Sequence, residues 1–235
     1  MDFASLLSKK SALIGAASGW GAQLRATEKG PIALEDGDLI DRLLENEKHV
    51  LWYKTVYPSL LASQTTLPVG PQTLPVLVEY LERLKFTIEE TLAQDYFPCV
   101  IGGDHTTAIA TWGALTHALD AKANFGLIWF DAHMDGHTPQ TSPSGAYHGM
   151  PVAALMGHGE EALINLGDAG PKVAPKHLVL MGVRSYEEGE AHLLKRLGVR
   201  IYYMEEIRQR GFEICFQEAI SHVSSSTKAF GLSID

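Results

Sequence analysis

An α/β fold, three layers deep with a mainly parallel sheet between helices, follows from three features of this chain. Short apolar runs that read as strands alternate with longer segments of helical period. The strand candidates are almost continuously apolar, as strands buried on both faces are. The connections between them are long enough for parallel crossovers rather than hairpins. At 235 residues the chain can bury a sizeable core, and a single domain spanning 1–235 suits that length better than two small ones.

In chain order, Ser11 to Ala16 is a short apolar run and the first expected strand. The Gly- and Thr-rich stretch Ser18 to Pro31 follows as a loop at a strand's C-terminal end, where α/β folds place ligands. A helix is expected over Ile32 to Glu45, a second strand over His49 to Lys54, and an irregular, proline-rich connection over Tyr57 to Thr73. Leu77, Tyr80, Leu81, Leu84, Ile88 and Leu92 share one stripe of a helix over Leu74 to Gln94. Phe97 to Ile101 is the third strand, closed by Gly102-Gly103, and Asp104 or Thr106 can cap the helix that runs on to Ala118. The fourth strand ends at Phe130. Beyond it come a helix over His148 to Gly157, strands over Lys176 to Val183 and Val199 to Tyr203, and helices over Glu187 to Leu197 and Phe212 to Val223. Lys228 to Asp235 closes the chain as a further strand. Because a domain seldom stops on the last residue of a core strand, the expectation is a chain truncated after Asp235.

Composition narrows the function classes. The net charge of −9 argues against nucleic acid or anionic membrane as a partner. No apolar run approaches the ~18 residues of a membrane span. Lys9 and Lys10 are followed by no apolar stretch of signal length, so a cytoplasmic location is expected. Cys99 and Cys215 belong to no Cys-x-x-Cys pair and read as two reduced thiols. There is no phosphate-binding glycine loop and no Gly-x-Ser-x-Gly elbow.

The chemistry lies in Phe125 to His137. After the apolar run Leu127 to Phe130, Asp131, His133 and Asp135 stand at alternate positions, which in extended backbone project from one face. Two carboxylates and an imidazole at the end of a buried strand are costly unless a cation satisfies them. His105 after the third strand and Asp235 at the last are expected at the same sheet edge. Carboxylates with two imidazoles and no thiolate suit Mn²⁺ better than a structural zinc. Two ions could be held, with Asp131 and Asp235 as bridges, and a two-metal site serves a hydrolase. The bland alternative is a solvated turn. His117, His158, His177, His192 and His222 have no partner pattern and are assigned to solvated faces.

Three motifs in order, Gly102-Gly103-Asp104-His105-Thr106, Asp131-Ala132-His133-Met134-Asp135 and Gly231-Leu232-Ser233-Ile234-Asp235, resemble the metal motifs of the ureohydrolases. These are dimanganese enzymes that split guanidino or amidino groups. The loop Thr138 to Pro151 and the run Met181 to Glu190 are most similar to those of bacterial arginases. The resemblance implies an arginase-like fold and hydrolysis of L-arginine to ornithine and urea. It implies two Mn²⁺ per subunit, one held by His105, Asp131, Asp135 and Asp235 and the other by Asp131, His133 and Asp235. Asp135 would pass a proton to the leaving amine, and His148 would act as acid or proton shuttle. Ser144 and His137 would meet the substrate α-carboxylate, and Glu187 and Glu190 its α-amino group. A trimer or hexamer is implied as well.

Two departures bear on specificity. His137 and Ala146 stand where arginases usually carry Asn, and losing an amide that pairs with a charged group costs about 1.5–3 kcal/mol. The second aspartate expected two residues past Asp235 is absent, so the expectation for this chain is a one-metal or weakly held site with low activity. Agmatinase or formimidoylglutamase chemistry, or a non-catalytic metal-binding or assembly protein on the same scaffold, are the alternatives.

Overall fold

The computed structural model describes residues 10–46, 49–63 and 67–235; the reading that rested on Lys9 lies outside them. The described residues gather into two compact units. One runs through Leu119 and includes Ser144–His148, and the other comprises Asp120–Pro143 and Gly149–Asp235.

The first unit holds a parallel sheet of strands β1 (Ser11–Ala16), β2 (Val50–Val56) and β3 (Phe97–Gly102), in the order β2-β1-β3. The Leu74–Ala93 helix forms as its stripe predicts, with Leu77, Tyr80, Leu81, Leu84 and Ile88 fully buried. The Tyr80 hydroxyl donates to the Val56 carbonyl at 3.1 Å, which satisfies the polar end of an otherwise apolar side chain. The helix expected over Ile32 to Glu45 is two helices, Lys29–Glu35 and Leu39–Asn46. Asp36-Gly37-Asp38 separates them, since Asp competes for backbone hydrogen bonds and Gly raises the entropy cost of a helix interior.

The second unit holds strands β4 (Phe125–Phe130), β5 (Leu178–Val183), β6 (Arg200–Tyr203) and β7 (Ala229–Ile234), all parallel in the order β6-β5-β4-β7. Ile128, Val179 and Met181 pack with Tyr202, Ile207, Cys215, Ala219 and Val223 to form its core. The parallel pairing is the α/β arrangement expected, divided here between two sheets. Strands β1, β4 and β5 are buried as their apolar runs predict, whereas β2 and β3 are mostly half-buried and β7 leaves Leu232 and Ile234 exposed.

Three details differ from expectation. The stretch His148 to Gly157 contains a 3₁₀ turn, Tyr147–Gly149, and a separate helix, Pro151–Leu155. Pro151 is at home in a first helical turn and would break a helix interior. The Met204–Arg210 helix was unforeseen, because it buries only Ile207 and so shows no apolar stripe. His177 is buried rather than solvated, at a 3₁₀ turn that leads into β5, and burial holds its pKa below the ordinary value. Cys99 and Cys215 are free thiols, as expected. Among the described residues no helix is long and apolar enough to cross a membrane.

Candidate metal centre and its surroundings

The register of β4 against β7 builds the centre of the site. Phe130 pairs with Ile234, so Asp131 and Asp235 are the next residues on two adjacent parallel strands. The Asp235 amide donates to the Phe130 carbonyl at 3.0 Å and continues the ladder one step further. Asp131 and Asp235 offer ligand atoms within 4.8 Å of each other. Asp131 is almost wholly buried, whereas Asp235 is exposed. The Asp131 Oδ1 accepts the His133 amide at 2.8 Å and lies 3.2 Å from His133 Nδ1. The imidazole of His133 is itself more than half exposed, at 58%.

The extended backbone expected through Asp135 is not what forms, since Ala132 and His133 lie in bends just past β4. Asp135 takes a left-handed conformation, φ +48°, which a residue with a Cβ adopts rarely and Asp more readily than most. Its carbonyl accepts the Val152 amide at 2.9 Å, at the open end of the Pro151–Leu155 helix. The Asp135 side chain is buried. A rare conformation at a buried carboxylate is a common mark of a functional site.

His137, Glu187 and Glu190 form a second cluster, with ligand atoms within 4.8 Å of one another. His137 Nε2 lies 2.7 Å from Glu187 Oε2 and 3.7 Å from Glu190 Oε1, and its Nδ1 is 3.1 Å from Thr141 Oγ1. Glu190 accepts the Gly136 amide at 3.1 Å and the Glu187 amide at 3.0 Å. Glu187 and Glu190 also form a reciprocal capping box at the start of the Glu188–Leu197 helix. Hydrogen bonding to His137 holds the Glu187 carboxyl below the usual range. Burial pushes Glu190 the other way, above it.

In the first unit, Asp104 and His105 follow β3. Of the capping roles expected of Asp104 or Thr106, only that of Asp104 forms, since its carboxylate takes the exposed Thr106 amide while Thr106 makes no side-chain cap of the Thr107–Ala118 helix. The Asp104 carboxylate also accepts the Thr106 hydroxyl and, from a loop 83 residues earlier, the Gly21 amide. Burial raises the Asp104 pKa, opposed by its bonds to Thr106 and Gly21 and by the field of His148. His105 is half-buried beside it. His148 is half-buried and its amide donates to the Gly21 carbonyl at 2.9 Å. Ser144 is exposed, and its Oγ accepts the Ala146 amide at 3.2 Å. The network around Asp104 was missed from sequence. The Gly102-Gly103-Asp104 run signals only a tight turn, not the remote loop that the turn meets.

The donor set of the second unit fits a divalent cation. It consists of carboxylate oxygens and an imidazole with no thiolate, and it brings like charges together at a strand end, where a cation stabilises their ionised forms. In the His137 cluster, hydrogen bonds from the imidazole and two backbone amides reach the two carboxylates.

Comparison with known proteins gives this arrangement a context. The model of the Arginase family matches residues 9–235. An arginase of Brevibacillus brevis is 34% identical over 229 residues, covering 97% of this chain and 76% of that protein. The crystal structure of arginase from Bacillus subtilis superposes with a TM-score of 0.84 at 33% identity, covering 97% of this chain and 74% of that one. Native arginase from Bacillus caldovelox also gives 0.84, at 32% identity and 95% and 74% coverage. A formimidoylglutamase from Bacillus subtilis shares the fold at 19% identity, with a TM-score of 0.69. Carboxylates that converge at parallel strand ends and a match spanning nearly the whole chain lead to one conclusion: this chain belongs to the arginase family, as an arginase-like ureohydrolase.

Proposed function

We propose that the chain hydrolyses L-arginine to ornithine and urea with Mn²⁺ as its cation, acting as one arginase-like domain. The observation that carries this reading is the approach of the Asp131 and Asp235 carboxylates within 4.8 Å, with His133 Nδ1 3.2 Å from Asp131. His105, Asp131, Asp135 and Asp235 are the proposed ligands of one ion, and Asp131, His133 and Asp235 of the other. Divalent cations at such a site supply Lewis acidity, which lowers the pKa of water and spreads developing negative charge.

The chain's own residues do the rest. Asp135 takes the proton of the attacking water and hands it to the departing amine as the carbon–nitrogen bond breaks. His148 carries protons at the mouth of the site. Ser144, His137, Glu187 and Glu190 face the amino-acid end of the substrate. A cytoplasmic location and a homotrimer or homohexamer complete the proposal.

A guanidino substrate without an α-carboxylate, such as agmatine, is the second reading. Two observations favour it: His137 is engaged with Glu187 at 2.7 Å, and Ala146 has no side-chain donor to offer a carboxylate. Urea release from L-arginine and from agmatine, with Mn²⁺ added, decides between them. Turnover of arginine over agmatine is the expected result; the opposite preference selects the second reading, and no urea from either sinks both.

A further inference from the structure

Asp104 precedes the proposed ligand His105 and is only 5% exposed. Its Oδ2 accepts the Gly21 amide at 2.9 Å, while Oδ1 accepts the Thr106 amide at 2.9 Å and the Thr106 hydroxyl. The amide of Asp104 donates to the Ser18 carbonyl at 2.9 Å. The Ser18–Gly21 loop is therefore bound from both the backbone and the side chain of one residue. Space around the bonds is as demanding. A Cβ on Gly103 would stand 2.0 Å from the Ser18 carbonyl oxygen, and one on Gly21 would stand 2.3 Å from Thr106 Cγ2 and 2.7 Å from Asp104 Oδ1. Glycine at both places is what lets loop and turn close.

Gly21 faces two ways. Its amide is held by Asp104, and its carbonyl accepts the His148 amide at 2.9 Å. One residue thus couples the carboxylate beside His105 to the segment that carries His148. We propose that Asp104 is the positioning residue for His148, setting through Gly21 where the 144–148 segment and its imidazole lie. The proposal rests on the reading of His148 as the proton carrier. Charge and shape both matter to the clamp. Asparagine has the size of aspartate but only one acceptor oxygen, and its NH₂ would meet an N–H or O–H donor in either orientation. Two donors would then compete for one buried acceptor, or one would go without.

Amide hydrogen exchange on the full chain tests the clamp without reference to turnover. In Asp104→Asn, the Gly21 and His148 amides are expected to lose protection together, by about 10-fold or more. Thr106→Val removes a single hydroxyl donor and is expected to produce the same parallel loss on a smaller scale, about 2- to 5-fold, which keeps the test open if Asp104→Asn does not fold. Unchanged protection at His148 in either variant, or a change at Gly21 that His148 does not share, overturns the proposal. With Mn²⁺ and arginine, Asp104→Asn is expected to lower kcat about 10- to 100-fold with KM within about twofold. On a His148→Ala background the same change is expected to cost less than about twofold. Costs that multiply across the two variants would show that Asp104 does not act through His148. If His148→Ala alone leaves turnover intact, the proton-carrier reading falls and the positioning role with it, even where exchange shows the clamp to exist.

Discussion

The second unit carries two clusters of carboxylate and imidazole, and they are built on different frames. In the cluster of His137, Glu187 and Glu190 the chain brings its own donors. Glu187 receives the imidazole at 2.7 Å, and Glu190 receives two backbone amides at 3.0 and 3.1 Å. In the cluster of Asp131, His133 and Asp235 the strand register brings two carboxylates within 4.8 Å, one buried and one exposed. Like charges so placed repel one another, and a cation between them offsets that repulsion. The contrast teaches that residue types alone do not mark a metal centre. Both clusters contain one His and two acidic residues, and what separates them is the frame that gathers them: a helix N-terminal capping box seats one, and the ends of two paired parallel strands bring together the other.

Breaking the Asp131 cluster is expected to have the largest effect. Asp131→Asn removes the residue proposed to serve both ions, so Mn²⁺ affinity measured by titration is expected to fall by more than about 100-fold, with urea release falling alongside it. Retained affinity would mean that Asp131 is no ligand. Next in size is the response to the cation itself. Mn²⁺ at 100 times its Kd is expected to raise stability by about 2.7 kcal/mol, read as a higher unfolding midpoint that a chelator reverses. An equal rise in Asp131→Asn would place the ion elsewhere.

The His137 cluster calls for a different signature. Glu190→Gln puts an NH₂ where two amides converge on carboxylate oxygens, and is expected to lower stability by about 1–3 kcal/mol in metal-free protein. His137→Asn is expected to change stability by less than about 1 kcal/mol, because Glu187 is 60% exposed and solvent screens the pair. Its signature lies in the pH dependence. A lowered Glu187 pKa means stability that is fully present above the ordinary carboxyl value of 4.5 and is lost as pH falls through the lower, folded value. In His137→Asn that acid-side loss is expected to shrink and the Glu187 resonance to titrate closer to its ordinary value by NMR. An unchanged titration would show that His137 does not hold Glu187.

Much of this is legible in the order of the residues. The stripe from Leu77 to Ile88 foretold the long helix, and the apolar runs at Ser11, Phe97 and Leu127 lie within β1, β3 and β4. The elements that escaped are those whose signal is weak or whose punctuation was overlooked. Met204–Arg210 buries only Ile207, and Pro151 and Gly37 divide segments each expected as one helix, the second of them with unevenly spaced apolar residues. His177 escaped for another reason: no local pattern marks a histidine that tertiary packing encloses at the start of a central strand.

The division of labour has a physical cause. Apolar periodicity is a local property of the chain, so strands and the long helix were already specified by the order of the residues. The extended backbone expected for Asp131, His133 and Asp135, by contrast, gives way to bends at Ala132 and His133 and a left-handed Asp135. The bond from Gly21 to Asp104 spans 83 residues and that from His137 to Glu187 spans 50. Neither can be deduced from spacing, because a hydrogen bond between distant segments depends on how sheets and loops pack, and packing is a property of the whole fold. Tertiary structure therefore decided which distant donors reach Asp104 and Glu187, and that Asp131 and Asp235 meet at the ends of β4 and β7.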